Sequence, residues 1–244
     1  MAKNKGSNAV IIVAIIGLIG TIFAAMLSSD WFGELIKKPT PTVLATTPPP
    51  GTTVGPTLPS GTMLIFEEDF EDTTASGIAY GAGTWEIVKD KSNHVLQVQA
   101  DTPSQAVLAD AVFGPSDFAS GIIQYGLKFS TPGKVWINFR ELGGPGYYLL
   151  LDAVDGQISL GYKSPGANGL FDYAALAANP ATFQTETWYL VHIDVRNDQM
   201  IVFVDNNRVF SASDGRLLLG RLTFTASQGT VASFDDIRVW YFGP

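Results

Sequence analysis

The sequence predicts an all-β domain, a two-sheet antiparallel sandwich, preceded by one transmembrane helix and a Pro/Thr-rich linker. Three observations predict it. Residues 62–244 break into short apolar/polar alternations divided by turn residues; none of these stretches keeps a helical period; and ahead of them stand a long uncharged apolar run and a segment made largely of Pro, Thr and Gly.

In chain order, residues 1–8 are a short tail carrying Lys3 and Lys5, and residues 9–27 contain no charge and one hydroxyl, Thr21. A helix of about 19 residues spans roughly 28 Å, close to the hydrocarbon thickness of a bilayer. The expected span is 9–29. A cleaved signal peptide is the competing reading. Cutting after Ala24, Ala25 or Ser28 would place Ile22, Phe23 or Met26 three residues before the cut, where a small side chain is needed. An uncleaved anchor is therefore expected. Lys3 and Lys5 favour an inside N-terminus, with Lys37 and Lys38 arguing weakly against it. The expectation is a single-pass protein of the cell membrane with its C-terminal domain extracytoplasmic and the lipid bilayer as partner of residues 9–29. Type IV pilins share this outline, but the Gly-Phe-Thr-Leu-x-Glu processing site is missing and no Glu lies in the run.

Residues 30–61 form the juxtamembrane segment and stalk, with Pro-Thr-Pro-Thr, Thr-Thr-Pro-Pro-Pro-Gly-Thr-Thr and Pro-Thr-Leu-Pro from Pro39 onward. Such a sequence has too little to bury to build a core. As polyproline II it would reach up to roughly 70 Å, and as a flexible coil about 25 Å, so it reads as a spacer.

Charge and cysteine content narrow the function. There is no Cys, which leaves neither disulfides nor thiolate metal sites. The net charge is −8; up to Gly61 four Lys against Asp30 and Glu34 leave +2, so the remainder carries −10. A domain that acidic is a poor nucleic-acid binder, and no nucleic-acid partner is expected.

Within the domain, strands are expected at 63–70, 84–88, 94–99, 121–129, 134–140, 147–152, 157–162, 188–196, 200–205, 208–212, 217–226 and 231–241. Asp155-Gly156, Asn197-Asp198 and Asn206-Asn207 supply turns, the last two of hairpin type, and the Ala-rich 173–178 has room for one helical turn. Alternation assigns the faces. Tyr189, Val191, Ile193 and Val195 oppose Leu190, His192, Asp194 and Arg196; Val135, Ile137 and Phe139 oppose Trp136, Asn138 and Arg140; Ile123, Tyr125, Leu127 and Phe129 oppose Gln124 and Lys128. One buried and one wet face per strand is the pattern of facing sheets.

Several segments recur in a familiar order: Glu67-Glu-Asp-Phe-Glu-Asp, Trp85-Glu-Ile-Val, Trp136-Ile-Asn-Phe-Arg, Gly146-Tyr-Tyr-Leu-Leu-Leu, Thr187-Trp-Tyr-Leu-Val-His-Ile-Asp-Val, Ile201-Val-Phe-Val-Asp and Phe234-Asp-Asp-Ile-Arg-Val-Trp. This succession resembles the concanavalin A-like lectin/glucanase sandwich, in particular its laminin-G-like and 3-keto-disaccharide-hydrolase-like branches, over residues 63–242. The resemblance implies a jelly roll whose concave sheet commonly holds glycans. The usual Val-Asp-Gly hairpin stands here as Val204-Asp-Asn-Asn, and Asn also accepts positive φ.

For catalysis a retaining glycosidase needs two carboxyls about 5 Å apart. Laminarinase-like members of the resembled superfamily carry them as Glu-x-Asp-x-x-Glu; the nearest match, Glu67-x-Asp69-x-x-Asp72, departs at its last position and sits on the opening strand. Neither His lies in a nucleophile-elbow context, while His192 and Asp194 share a face and could form an acid–base pair. The hydrolase-like resemblance makes Arg140 the residue expected to face substrate.

Binding has more to work with. Sugars are held by aromatic stacking together with planar amide, carboxylate and guanidinium groups. Trp136, Asn138 and Arg140 supply three of these on one strand face; Gln124, Asp152, His192 and Asp194 are expected on neighbouring strands, and Tyr147 and Tyr173 as rim aromatics. Glu68, Asp69, Glu71, Asp235 and Asp236 are candidate oxygen ligands for a structural Ca²⁺, provided that the first and last strands are adjacent. The expected function is a membrane-anchored, non-catalytic module that binds glycan or a cell-surface protein. The alternatives are a glycoside hydrolase of the 3-keto-disaccharide-hydrolase-like kind and a structural subunit of a cell-envelope assembly.

Overall fold

A computed structural model of the chain describes residues 58–101, 108–166 and 171–242. The expected membrane span and the stalk up to residue 57 lie outside the described residues.

The described residues form fifteen strands: β1 (Thr62–Glu68), β2 (Ile78–Tyr80), β3 (Thr84–Asp90), β4 (Asn93–Gln99), β5 (Ala109–Phe118), β6 (Gly121–Phe129), β7 (Lys134–Glu141), β8 (Gly146–Asp152), β9 (Gln157–Pro165), β10 (Phe171–Pro180), β11 (Trp188–Arg196), β12 (Gln199–Val204), β13 (Asn207–Ser213), β14 (Gly220–Ala226) and β15 (Val231–Phe242). They make two antiparallel sheets. Sheet A runs β13-β12-β11-β6-β15-β4-β3 with β1 added beside β15, and sheet B runs β10-β9-β8-β7-β14-β5-β2.

Every strand expected from the sequence is present, with ends shifted by a few residues. Three were not expected. β2 is only three residues long, β5 contains Gly114 and Pro115, and β10 is the Ala-rich stretch given a helical turn. In β10, pairing with β9 along its whole length overrides the helix propensity of Ala. The β12–β13 turn sits one residue earlier than expected, at Asp205-Asn206, with φ of 50° and 64°. Two successive positive φ values match the right-handed twist of the flanking strands.

The inner faces meet in one core. Val135, Ile137 and Phe139 of β7, Tyr189, Val191, Ile193 and Val195 of β11, and Ile123, Tyr125, Leu127 and Phe129 of β6 are all buried, as alternation predicts. At its centre Phe224 of β14 stacks on Phe113 at 4.3 Å and lies 4.3 Å from Phe234 of sheet A, which locks the two layers together.

Candidate functional site

On sheet B the outward side chains of neighbouring strands fall into three rows set by register. Thr225, Trp136, Leu150 and Ser159 are successive partners in the first row, and Thr223, Asn138, Tyr148 and Gly161 in the second. A third holds Arg221 opposite Glu141, and Lys163 opposite Tyr173.

This face is concave. Tyr173 of β10 lies 6.1 Å from Trp136 of β7 and meets Tyr148 of β8 edge-on at 5.2 Å, ring centre to ring centre. The two strands β9 and β8 separate β10 from β7, which on a flat sheet is roughly 14 Å. The sheet must curl toward its outer face for these rings to touch. Gly161 makes the close approach feasible: a Cβ there would stand 2.5 Å from Tyr148 Cζ and 2.4 Å from the Ala174 carbonyl oxygen. Tyr148 thus lies across the β9 backbone toward β10.

Beneath the aromatic group, polar side chains are buried yet incompletely bonded. Asn138 is 1% exposed; its amide donates to the Thr223 carbonyl at 3.3 Å and to Thr225 Oγ1 at 3.1 Å. Asn138 Oδ1 and Thr223 Oγ1 have no partner among the described residues. A buried polar atom without a partner costs free energy; both atoms are closed off from the surface, so a ligand reaches them only if the side chains above them move. Burial raises the pKa of both Tyr148 and Tyr173, so both phenols stay protonated donors.

The third row is ionic. Glu141 accepts from Lys163 Nζ at 2.9 Å and from Arg221 Nη2 at 2.6 Å, and the Lys163 ammonium lies 5.0 Å from the Phe171 ring centre. Burial alone would push the Glu141 carboxyl up, but Lys163 and Arg221 outweigh it and hold the group below the ordinary carboxylate range. An acid held ionised in this way is unsuited to protonating a leaving group. Two other carboxylates of this sheet are engaged elsewhere: Asp110 accepts the Ala82 amide, and Asp152 accepts those of Val154 and Asp155.

The residues expected to form a site divide among several places. Trp136, Asn138 and Tyr173 meet on the concave face. Arg140 does not. Its φ of 49° breaks the alternation of β7, and the fully buried guanidinium donates to the carbonyls of Ala119 at 2.8 Å and Leu217 at 3.1 Å. Tyr147 points into the core, where its hydroxyl donates to Asp214 at 2.7 Å and accepts from the Leu217 amide. Asp152 ties down its turn and pairs with Lys134 at 2.8 Å.

Gln124, His192 and Asp194 belong to sheet A, on the far side of the molecule's core from Trp136. His192 stands opposite Gln124, buried, with Phe203 edge-on to its ring, and burial lowers its pKa to about 4. Asp194 pairs with Arg196 at 2.8 Å instead of with His192. The laminarinase-like triplet fares similarly. Glu67 pairs with Arg238, while Asp69 and Asp72 accept the amides of Glu71 and Thr74 on edge strand β1 and the loop after it.

The condition set for calcium is met, since β1 and β15 are adjacent, but the carboxylates do not converge. Glu68 accepts the amides of Phe70 and Ser76, Glu71 that of His94, and Asp236 pairs with Arg238 at 2.9 Å. Asp236, at φ 48°, forms the bulge that the apolar face of Ile237 and Val239 requires. Burial and Asp236 raise Asp235 to about 7. Among the described residues no three carboxylate or imidazole groups gather where they could hold a metal ion.

No protein-family model and no curated protein matches the sequence. Solved structures do match the fold. A carbohydrate-binding module from Bacillus subtilis, CBM66, superposes with a TM-score of 0.53 at 15% identity, over 66% of this chain and 93% of that one. A Bacillus subtilis protein with a galectin-like fold gives 0.56 at 14%, over 72% and 94%. The family 16 endo-glucanase of Bacteroides ovatus gives 0.55 at 11%, over 71% and 99%. The domain therefore has the concanavalin A-like jelly-roll fold, on which glycan binders and glucanases are both built.

The sequence reading missed Tyr148, Glu141, Lys163, Arg221 and Thr223. Tyr148 was within reach: it shares parity with Leu150 and Asp152, opposite the apolar set Tyr147, Leu149 and Leu151. The others become neighbours only through the register of separate strands.

Proposed function

We propose that this protein binds glycan without cleaving it, and that the concave face of sheet B is the binding surface. The carrying observation is the meeting of Trp136, Tyr148 and Tyr173 on one sheet face, with Trp136 half-buried and Tyr173 exposed. Aromatic faces stack on the apolar side of a pyranose, and amide and hydroxyl groups bond its ring substituents. The non-catalytic part of the reading is supported by Glu141, whose partners are Lys163 and Arg221 and not a second carboxyl. The fold neighbours include both a carbohydrate-binding module and glucanases, so they favour a glycan as partner without choosing between binding and hydrolysis.

The apolar run at 9–27 and the Pro/Thr stalk support display from a membrane, with the domain outside. Tethering raises the local concentration of a weak binder beside its surface. The test is a glycan array followed by titration calorimetry on the full-length protein. Trp136→Ala and Tyr173→Ala should each weaken binding about tenfold or more. Failure to bind any glycan, or wild-type affinity in both variants, sinks the reading; release of sugar from a bound oligosaccharide replaces it with hydrolysis.

A further inference from the structure

Resting on the concave face as the glycan site, we infer that its ligand is an acidic saccharide, whose carboxylate or sulfate is received by the Arg221–Glu141–Lys163 row beside the aromatic cluster. The inference comes from which hydrogen-bonding valences remain once the row has bonded to itself. Glu141 is 6% exposed and both its oxygens are taken, Oε2 by Lys163 and Oε1 by Nε and Nη2 of Arg221. Arg221 Nη1 has no partner among the described residues, and the side chain is 47% exposed. Lys163 gives one of its three ammonium protons to Glu141 and lies close to the Phe171 ring. Lys163 is itself only 5% exposed, so what the row presents outward is the Arg221 guanidinium, a donor only. The row also carries two positive charges against one negative, on a domain whose residues beyond Gly61 are strongly acidic overall.

The hydroxyls of a neutral sugar both donate and accept, so a row that presents donors alone serves them only in part. An anionic substituent is served by donors and positive charge alone. The placement suits one chain of sugar: Lys163 is the cross-strand partner of Tyr173, and Glu141 lies close enough to raise the Tyr173 pKa. A ring stacked on Tyr173 thus lies beside the row, whose exposed member is Arg221. Glu141 also has a positioning role, fixing the guanidinium by two bonds so that its free edge faces the ligand.

The experiment compares ligands that differ only in charge. Oligogalacturonate is titrated against its methyl ester, and a sulfated galactan oligosaccharide against its desulfated form, with full-length protein at low and high salt. The charged member of at least one pair should bind about tenfold tighter, with an advantage that shrinks as salt rises. The pair that shows it identifies carboxylate or sulfate. Arg221→Gln should collapse that ratio toward one. Arg208→Gln, the same charge change on exposed β13 of the other sheet, should leave it unchanged. Equal affinity within both pairs, a ratio untouched by Arg221→Gln, or one equally lowered by Arg208→Gln overturns the acidic-ligand inference while leaving glycan binding in place. Binding of no saccharide at all overturns both.

Discussion

On the outer face of sheet A the charged side chains answer one another. Lys128 is held by Asp90 at 2.8 Å, Arg196 by Asp194 and Arg238 by Glu67 and Asp236, while Lys128 and Arg196 also lie over the rings of Trp188 and Phe242. The outer face of sheet B has comparable residue types in a different arrangement: Trp136, Tyr148 and Tyr173 gather into one ring cluster, and the ion row of Glu141, Lys163 and Arg221 lies beside it. Both faces would look alike in a residue count. What separates them is curvature and cover: sheet B curls until aromatic residues from β7, β8 and β10 meet, whereas cations lie over the rings of sheet A.

The largest effect that tests this contrast belongs to Arg140, a residue suited by type to sugar recognition but spent on the fold. Arg140→Met removes donors from the carbonyls of Ala119 and Leu217 in a buried setting, and should cost about 2–4 kcal/mol in chemical denaturation. Glycan affinity of the folded variant should stay within about twofold of wild type. A stable variant with weakened binding would return Arg140 to the ligand face and remove the distinction drawn here.

Gly161→Ala attacks the curvature itself. The added Cβ meets Tyr148 and the Ala174 carbonyl, so either the Tyr148 ring or β10 must move, at about 1–3 kcal/mol. Glycan affinity should fall with stability, because the ring cluster opens. Retained affinity would mean that the contact of Tyr173 with Tyr148 and Trp136 is not what shapes the site.

Sheet A should reveal itself through pH. His192, with a pKa of about 4 against an ordinary 6.5, stays neutral in the fold while the unfolded chain takes up a proton between those values. Its presence therefore lowers stability as pH falls from 6.5 toward 4, on the order of 1 kcal/mol already at pH 5.5, and His192→Gln should flatten that slope. Asp235 works oppositely: raised from 3.8 to about 7, it favours the fold at low pH, an advantage lost as pH rises through 7, so Asp235→Asn should gain on wild type above pH 7. Denaturation curves at several pH values check both. Neither change should alter glycan binding on sheet B.

The sequence made the sandwich legible because alternation is local: Val135, Ile137 and Phe139, or Tyr189 to Val195, announce a buried face without reference to any other strand. It placed Trp136 and Asn138 outward for the same reason. It could not say that Gln124 and His192 face away from them, since sheet membership depends on which strands pair across long stretches of chain. Arg140 was misjudged by a single positive φ, which non-glycine residues seldom adopt and which no neighbouring residue signals. β10 was missed because four alanines between Phe171 and Pro180 carry little strand preference of their own. In β8 the parity was readable, but the Gly-rich loop before it drew attention to Tyr147 in place of Tyr148.

The smallest expected effect is also the sharpest check on sheet A as a face that holds no ligand. Arg196 is about half exposed, bonded to Asp194 two residues away and stacked over Phe242 at 4.4 Å. Exposed pairs of this kind contribute about 0–1 kcal/mol, so Arg196→Ala should change stability by less than about 1 kcal/mol and glycan affinity not at all. If sheet A instead held the ligand, this substitution would remove both a guanidinium and the cover of an aromatic ring, and affinity would drop with little loss of stability. Affinity and denaturation midpoint measured on the same variant therefore tell the two faces apart, because only at a ligand-bearing face can the first move while the second stays still.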